Sequence, residues 1–173
     1  MTPICVRRAL TADAGAIARV YNHYVRTSVA TFDTEAKTVE DRASWLARRG
    51  PEHPVLVAER DGQVVGWGSL SPWGERAAYR YSVEISTYVD ADAIGDGVGP
   101  TLAAALIAEA RALGHHAVLS RVVADNEPSL KMSARLGFTQ VGRLHEVGFK
   151  FGRWLDLILF ELVLDGPVDK DGS

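Results

Sequence analysis

Residues 88–102 read YVDADAIGDGVGPTL, and this stretch decides how the rest of the chain is interpreted. It continues a β-prone run, holds Gly95, Gly97 and Gly99 at its centre, and then enters an Ala- and Leu-rich helix at Pro100. Glycines between a strand and a helix let successive backbone N–H groups point into one concavity, and the helix N-terminus adds partial positive charge. The stretch therefore predicts either a diphosphate site that needs no lysine or a plain loop with helix-capping glycines.

Two common nucleotide-binding motifs do not fit this loop. No Gly-Lys-Ser/Thr follows it, which excludes a Walker loop. The spacing Gly95-x-Gly97-x-Gly99 differs from the Rossmann fingerprint, and the loop lies late in the chain rather than after a first strand.

Outward from the loop, hydrophobic periodicity predicts the element order βααβββαβαββ. The central strand covers residues 81–89, where Val83, Ile85 and Thr87 alternate with polar side chains. We therefore expect an α+β protein with helices on both faces of one sheet. The other predicted strands cover residues 4–7, 55–59, 63–70, 117–123, 139–147 and 155–164, the last two joined by a turn at 148–154, and the predicted helices follow Thr11, Thr38, Pro100 and Asn126.

Length and composition limit the classes of protein that the chain can represent. The 173 residues are 47% hydrophobic and 24% charged, which is typical of one globular domain. We predict a domain at 1–165 and a polar tail at 166–173. The net charge of -3 argues against a nucleic-acid partner. Because no apolar run resembles a secretion signal or a membrane span, we expect a cytoplasmic protein without membrane contact.

A second motif lies downstream of the glycine loop. It consists of Asn126-Glu-Pro-Ser129 and the helix end ARLGF at 134–138. With the glycine loop, it resembles the acetyl-CoA-binding region of the GNAT superfamily of N-acetyltransferases. The closer resemblance, from residue 4 to about residue 164, is to the phosphinothricin N-acetyltransferase branch. It rests on the motifs Thr31-Phe-Asp-Thr-Glu35, Pro72-Trp73, Arg76-x-x-Tyr79, Glu84-x-Ser-x-Tyr-Val89 and Gly148-Phe-Lys-x-Gly-x-Trp-x-Asp156.

The resemblance implies a fold and a cosubstrate. The fold is the GNAT acyltransferase fold, a central mixed, mostly antiparallel twisted sheet with helices on both faces. The cosubstrate is acetyl-CoA, with its diphosphate on the glycine loop and its thioester on main-chain N–H groups around Tyr88, which would stabilise an oxyanion. Asn126 would bond the pantetheine arm, or simply cap its own helix. The implied cofactor-binding residues are Tyr88, Val89, Gly95, Asp96, Gly97, Val98, Gly99, Pro100, Thr101, Asn126 and Ser129.

The resemblance also implies a general base and an anion clamp. Transfer to an amine requires the ammonium to lose a proton, and Glu84 matches the branch's base; the alternative is an ordinary strand carboxylate. Arg76 matches an arginine that grips a carboxylate or phosphinate, and its alternative is a solvated surface charge. The implied substrate-binding residues are Phe32, Trp73, Arg76, Tyr79, Glu84 and Lys150, with packing roles as the alternative for Phe32, Tyr79 and Lys150.

Three residues depart from the superfamily pattern. Ile94 stands where Arg or Gln is usual, and Asp96 stands at a position that is often basic. Both departures remove positive charge near the diphosphate, so we expect weaker acetyl-CoA binding than in a typical member. Ser133 occupies the catalytic position of a Tyr that reprotonates the CoA thiolate. Because Ser is a weak acid, either a water protonates the thiolate or it leaves unaided.

We expect neither a metal site nor an acetyl-enzyme intermediate. The five histidines show no metal-ligand spacing, and Cys5 is expected to be a small core residue rather than a nucleophile. Direct transfer within a ternary complex is therefore expected.

Three functions remain open at this point. The first is acetyl transfer to the α-amine of a small amino-acid-like compound such as phosphinothricin, methionine sulfoximine or methionine sulfone, in detoxification. The second is acetylation of a peptide N-terminus or another amine. The third is a degenerate acyl-CoA-binding module, which Ile94, Asp96 and Ser133 would support. The resemblance also implies a homodimer.

Overall fold

A computed structural model describes residues 2–165. The predicted tail at 166–173 lies outside the described residues. The element order is the predicted one. The strands are β1 (Cys5–Arg8), β2 (Val55–Arg60), β3 (Gln63–Pro72), β4 (Ser82–Val89), β5 (Ala117–Val123), β6 (Thr139–Lys150) and β7 (Arg153–Val163), and the helices are α1 (Ala14–Thr27), α2 (Val39–Ala47), α3 (Val98–Ala112) and α4 (Glu127–Arg135).

The seven strands form one sheet in the order β1-β2-β3-β4-β5-β7-β6. Its strand pairs are antiparallel except for β4 and β5, which run parallel. This confirms the predicted mixed, mostly antiparallel sheet. The parallel pair is short, because only Ser82–Glu84 pair with Ala117–Leu119. Beyond Glu84 and Leu119 the two strands separate, and we call this opening the inter-strand cleft.

Helices cover both faces of the sheet, as predicted. On one face α3 packs Leu102 and Leu106 against Val83 and Ile85 of β4. On the other face α1 packs Ile17 and Val20 against β2 and β3. Each burial of such a side chain contributes about 1.5–3 kcal/mol. Alternation along β4 therefore directs Glu84, Ser86 and Tyr88 to the α1–α2 face.

Three local expectations need correction. Helix α3 begins at Val98 rather than Thr101, because Gly97 adopts φ +82° and caps it. The predicted turn at 148–154 contracts to two residues, since Phe151 and Gly152 both take positive φ as in a tight hairpin. Cys5 is exposed rather than buried, because it begins the edge strand β1.

Candidate active site

The free edge of β4 in the inter-strand cleft presents backbone groups that no strand pairs. Asp90 donates its N–H to Val65 O at 2.8 Å, so the antiparallel ladder turns every second residue of β4, including Tyr88, toward β3. Thr87 and Val89 consequently direct their N–H and C=O groups into the cleft. The donors predicted around Tyr88 are thus placed on its two neighbours, while Tyr88's own backbone faces β3.

The Tyr88 side chain lies on the α1–α2 face. Its ring packs 5.0 Å from the Tyr21 ring and 4.9 Å from the Trp67 ring. Burial raises the pKa of Tyr88 well above its ordinary value, so the phenol stays neutral. Tyr88 therefore packs β4 against the α1–α2 face and does not supply a proton.

Tyr24 of α1 already contacts the free edge of β4. Its hydroxyl donates to Val89 O at 2.7 Å and accepts from Val89 N–H at 3.4 Å. Sequence reasoning missed this contact, because Tyr24 reads as one more apolar position on an amphipathic helix. A ligand that uses the backbone of Val89 must displace the Tyr24 hydroxyl.

Two cavities that share lining residues occupy the cleft. The larger, about 890 Å³, runs from the glycine loop past Thr87 to α4. The smaller, about 90 Å³, lies between β4 and β5 and is lined by Arg121 and Ser133 among others. Thr87 and Asn126 line both, so an elongated ligand can extend from the α3 N-terminus into the sheet.

The glycine loop turns into α3 at the wall of the larger cavity. Gly95 has φ +94° and Gly97 has φ +82°, which glycine adopts without strain. Together with Gly99 and Pro100 they line the cavity at the N-terminus of a 15-residue helix. Thr101 is part of the helix, since its hydroxyl donates to Gly97 O at 2.8 Å. The local geometry suits an anion held by backbone N–H groups.

Charges missed from the sequence surround this loop. Arg60 of β2 donates to the Asp96 carboxylate at 2.7 Å, which offsets the negative charge that Asp96 brings. Lys131, Arg135 and Arg153 line the same cavity, while Ile94 is 63% exposed at its wall. Lys131 is paired with Glu127 and Arg153 with Asp125, so Arg135 is the cation of these three that forms no ion pair within residues 2–165.

Helix α4 contributes the residues predicted from the second motif. Asn126 caps it by accepting from Ser129 N–H at 3.4 Å, as the alternative interpretation expected. Both residues also line the two cavities. Ser133, only 5% exposed, lies on the same wall of the smaller cavity.

Glu84 lies at the last paired position of β4, where the cleft opens, and is not among the residues that line the two cavities. Its carboxylate accepts from Arg121 at 2.7 Å, and the Arg121 guanidinium lies 4.9 Å from the centre of the Trp73 ring. Sequence reasoning missed Arg121. The available signal was a single charge in the otherwise uncharged strand β5.

Arg76 and Tyr79 lie in the exposed loop before β4. The Tyr79 ring packs on Gly74, where a Cβ would lie 2.8 Å from the ring. Arg76 is exposed and forms no ion pair within residues 2–165. Its guanidinium can therefore still bind an anion.

Phe32 and Lys150 both join the loop after α1 to strand β6. The Phe32 ring lies on Gly148, and the Lys150 ammonium donates to Ser28 O at 2.7 Å and Thr31 O at 2.8 Å. Lys150 is 4% exposed, and burial lowers its pKa. The expected substrate contact of Lys150 finds no support in this geometry, because the ammonium is used to hold the loop that carries Phe32.

Within 2–165 no three His, Cys, Asp or Glu side chains group in a way that could hold a metal ion. Across the same range, no helix combines the length and the hydropathy that a membrane span requires.

A family model described as an acetyltransferase (GNAT) domain matches residues 6–159. The chain belongs to the GNAT acetyltransferases. It is 38% identical over 161 residues to an L-methionine sulfoximine/L-methionine sulfone acetyltransferase of Salmonella typhimurium, covering 92% of this chain and 94% of the relative.

Two solved structures extend the comparison of this GNAT enzyme. A phosphinothricin acetyltransferase of Sinorhizobium meliloti in complex with acetyl-CoA superposes with a TM-score of 0.89 at 31% identity, covering 95% and 89% of the two chains. A ribosomal-protein-alanine N-acetyltransferase of Brucella melitensis superposes with a TM-score of 0.90 at 40% identity, covering 92% of this chain and 99% of that structure. The fold predicted from the resemblance is confirmed.

The protein is an acetyl-CoA-dependent N-acetyltransferase. Its own geometry fits that cosubstrate: a helix N-terminus with positive-φ glycines suits a diphosphate, and the free edge of β4 suits an amide-rich arm. The described cavities leave room for both.

Proposed function

We propose that this GNAT enzyme acetylates the α-amine of small amino-acid-like compounds of the phosphinothricin, methionine sulfoximine and methionine sulfone type. The names of its relatives support this substrate class. The observation that carries the proposal is the position of Glu84. Glu84 is the last residue of β4 that pairs with β5, and its carboxylate accepts a hydrogen bond from Arg121 of β5 at the point where the two strands separate. An amine at this carboxylate would be adjacent to a thioester lying along the free edge of β4.

In this mechanism Glu84 accepts a proton from the substrate ammonium, directly or through a water. The amine attacks the thioester carbonyl, and a backbone N–H on the free edge of β4, that of Thr87, bonds the oxygen on which negative charge develops. The C–S bond then breaks. CoA leaves as a thiolate or is protonated by water, since Ser133 is a poor acid, and the acylated nitrogen loses its remaining extra proton to water. Holding both reactants in one cleft removes much of the entropic barrier.

Direct transfer is further supported by the location of Cys5. This thiol lies on the edge strand β1, at the far side of β2 and β3 from the cleft. No acetyl-enzyme on Cys5 is therefore part of the mechanism.

Exposed apolar side chains on β6 and on the hairpin that joins it to β7 support a homodimer. Val141, Val147, Phe149, Phe151 and Trp154 expose between 50% and 61% of their surface. The Phe149 and Trp154 rings meet edge to face with their centres 5.0 Å apart, next to Gly148 and the Phe32 ring. Such a patch on an edge strand is typical of an interface. Light scattering should give twice 18.8 kDa for the protein and a single-chain mass for Trp154→Ser.

Acetylation of a protein N-terminus is the second candidate. It is favoured by the name of the Brucella melitensis structure, at 40% identity. A panel of free amino acids and N-terminal alanine peptides distinguishes the two activities by thiol release. The predicted cytoplasmic location stays a prediction in either case.

The base assignment is tested with Glu84→Gln. Turnover of methionine sulfone at neutral pH should fall roughly 100- to 10,000-fold, because the amide cannot accept the proton. Glu109→Gln is the matched control, since Glu109 is another carboxylate in one ion pair, with Arg8. Full turnover by Glu84→Gln would overturn the assignment.

A further inference from the structure

Arg121 of β5 and Glu84 of β4 form an ion pair at the inter-strand cleft, where the two strands begin to separate. Arg121 Nη2 lies 2.7 Å from Glu84 Oε2, with side chains 44% and 21% exposed. Ion pairs with this exposure are weak, because water competes for both partners. The pair can therefore be exchanged for a ligand of matching charge.

The Arg121 guanidinium is held in place and yet retains unused donors. Its face lies over Trp73 at 4.9 Å, which orients the plane of the group. Within the described part of the chain, Nη2 is the donor that bonds Glu84, while Nε and Nη1 make no hydrogen bond. Arg121 also lines the smaller cavity together with Ser86 and Thr87 of β4.

An α-amino acid carries two charges that are complementary to those of Glu84 and Arg121. Its ammonium and carboxylate are attached to one carbon, so one end can face Glu84 while the other faces Arg121. A guanidinium binds a carboxylate with two parallel hydrogen bonds, which a single bond to Glu84 does not satisfy.

We propose that Arg121 is the anchor for the substrate α-carboxylate, an inference that rests on the proposed function. When substrate binds, its carboxylate replaces Glu84 on the guanidinium. Glu84 Oε2 is then released beside the ammonium and accepts its proton, and the neutral amine attacks the thioester carbon. Arg76, exposed in the loop before β4, remains for an anionic or strongly polar group on the substrate side chain.

This assignment restricts the substrate class. Compounds with both a free α-amine and a free α-carboxylate can exchange with the ion pair. Amides and esters of the same amino acid leave Glu84 paired to Arg121. A peptide N-terminus lacks an α-carboxylate on its first residue and belongs to this second group.

The test compares L-methionine sulfone with its carboxamide, which has the same side chain and amine. Thiol release from acetyl-CoA gives kcat and KM for each with the wild-type chain and with Arg121→Gln, Arg121→Lys and Arg111→Gln. Arg121→Gln should lower kcat/KM for the acid by about 100-fold, mainly through KM, and change that for the amide less than threefold. Arg121→Lys should recover part of the loss, and Arg111→Gln, a charge at the far end of α3, should behave as wild type.

The outcomes separate this inference from the proposed function. Equal loss with the acid and the amide would show that Arg121 merely positions Glu84, and would overturn the assignment. An unchanged preference for the acid in Arg121→Gln would overturn it as well. Both results leave the acetyltransferase activity standing. If the wild-type chain released no thiol with either compound, the proposed function would fall, and the assignment with it.

Discussion

The two sides of the inter-strand cleft are built by different means. On the proposed cofactor side, one continuous stretch supplies the free edge of β4, the glycine loop and the α3 N-terminus, and the proposed binding groups are backbone N–H groups. On the proposed substrate side, Phe32, Trp73, Glu84 and Arg121 come from four separate segments and are proposed to act through their side chains. A site built from backbone groups leaves a local pattern in the sequence, whereas a site built from side chains of distant segments is assembled only by the fold.

Gly148→Ala should disturb the substrate side alone and produce the largest effect of the changes that follow. A Cβ at this position would lie 2.3 Å from the Phe32 ring, so the ring must move. We expect KM for the amino acid to rise at least tenfold, with KM for acetyl-CoA within twofold of wild type.

Gly142→Ala, on the same strand, is the control for Gly148→Ala. Its Cβ would meet only Leu159 side-chain atoms, the nearer at 3.6 Å. If Gly148→Ala raised both KM values equally, the two sides would not be independent.

Gly97→Ala should disturb the cofactor side alone. The φ of +82° strains any residue with a Cβ by about 1–2 kcal/mol, so the loop relaxes away from the diphosphate position. Calorimetry should show acetyl-CoA binding weakened about tenfold, with an unchanged KM for the amino acid. Gly114→Ala is the control, because Gly114 has φ +80° at the other end of α3. It should lose similar stability and bind acetyl-CoA as wild type.

Ile94→Arg should strengthen the cofactor side. Ile94 is 63% exposed at the cavity wall, where a guanidinium would reach the diphosphate. We expect acetyl-CoA to bind about fivefold more tightly, with a gain that shrinks as salt is added. Ile94→Gln tests polarity without charge. A sub-micromolar dissociation constant for the wild-type chain would contradict the expected weak binding.

Tyr24→Phe should have the smallest effect. Without the hydroxyl, the N–H and C=O groups of Val89 have no bond to Tyr24 that a ligand must first displace. We expect acetyl-CoA to bind about threefold more tightly in calorimetry, in keeping with one modest hydrogen bond. Weaker binding would instead show that the hydroxyl contacts the ligand.

Local patterns predicted most of the fold and part of the site. The alternation in β4 and the glycines before α3 act over neighbouring residues, so periodicity and turn chemistry reveal them. Lys150 could not be placed in this way. Its motif resembles a substrate contact, yet its ammonium holds Ser28 and Thr31 from more than a hundred residues away.

Arg121 and Arg60 show the same limit. Arg121 reaches Glu84 because β5 runs parallel to β4, and Arg60 reaches Asp96 because β2 brings it beside the glycine loop. The sequence of the loop, read alone, does not reveal that the Asp96 carboxylate is paired with Arg60.

By itself the amino-acid sequence determined the element order, the glycine loop between β4 and α3 and the position of Glu84 in the central strand. These depend on φ/ψ preferences and on hydrophobic periods of two and 3.6 residues, which neighbours along the chain set. Only the tertiary structure decided which charges face Glu84 and Asp96, and which aromatic ring Gly148 supports. Such contacts join distant segments, and their partners are chosen by strand register and helix packing, which no short stretch encodes.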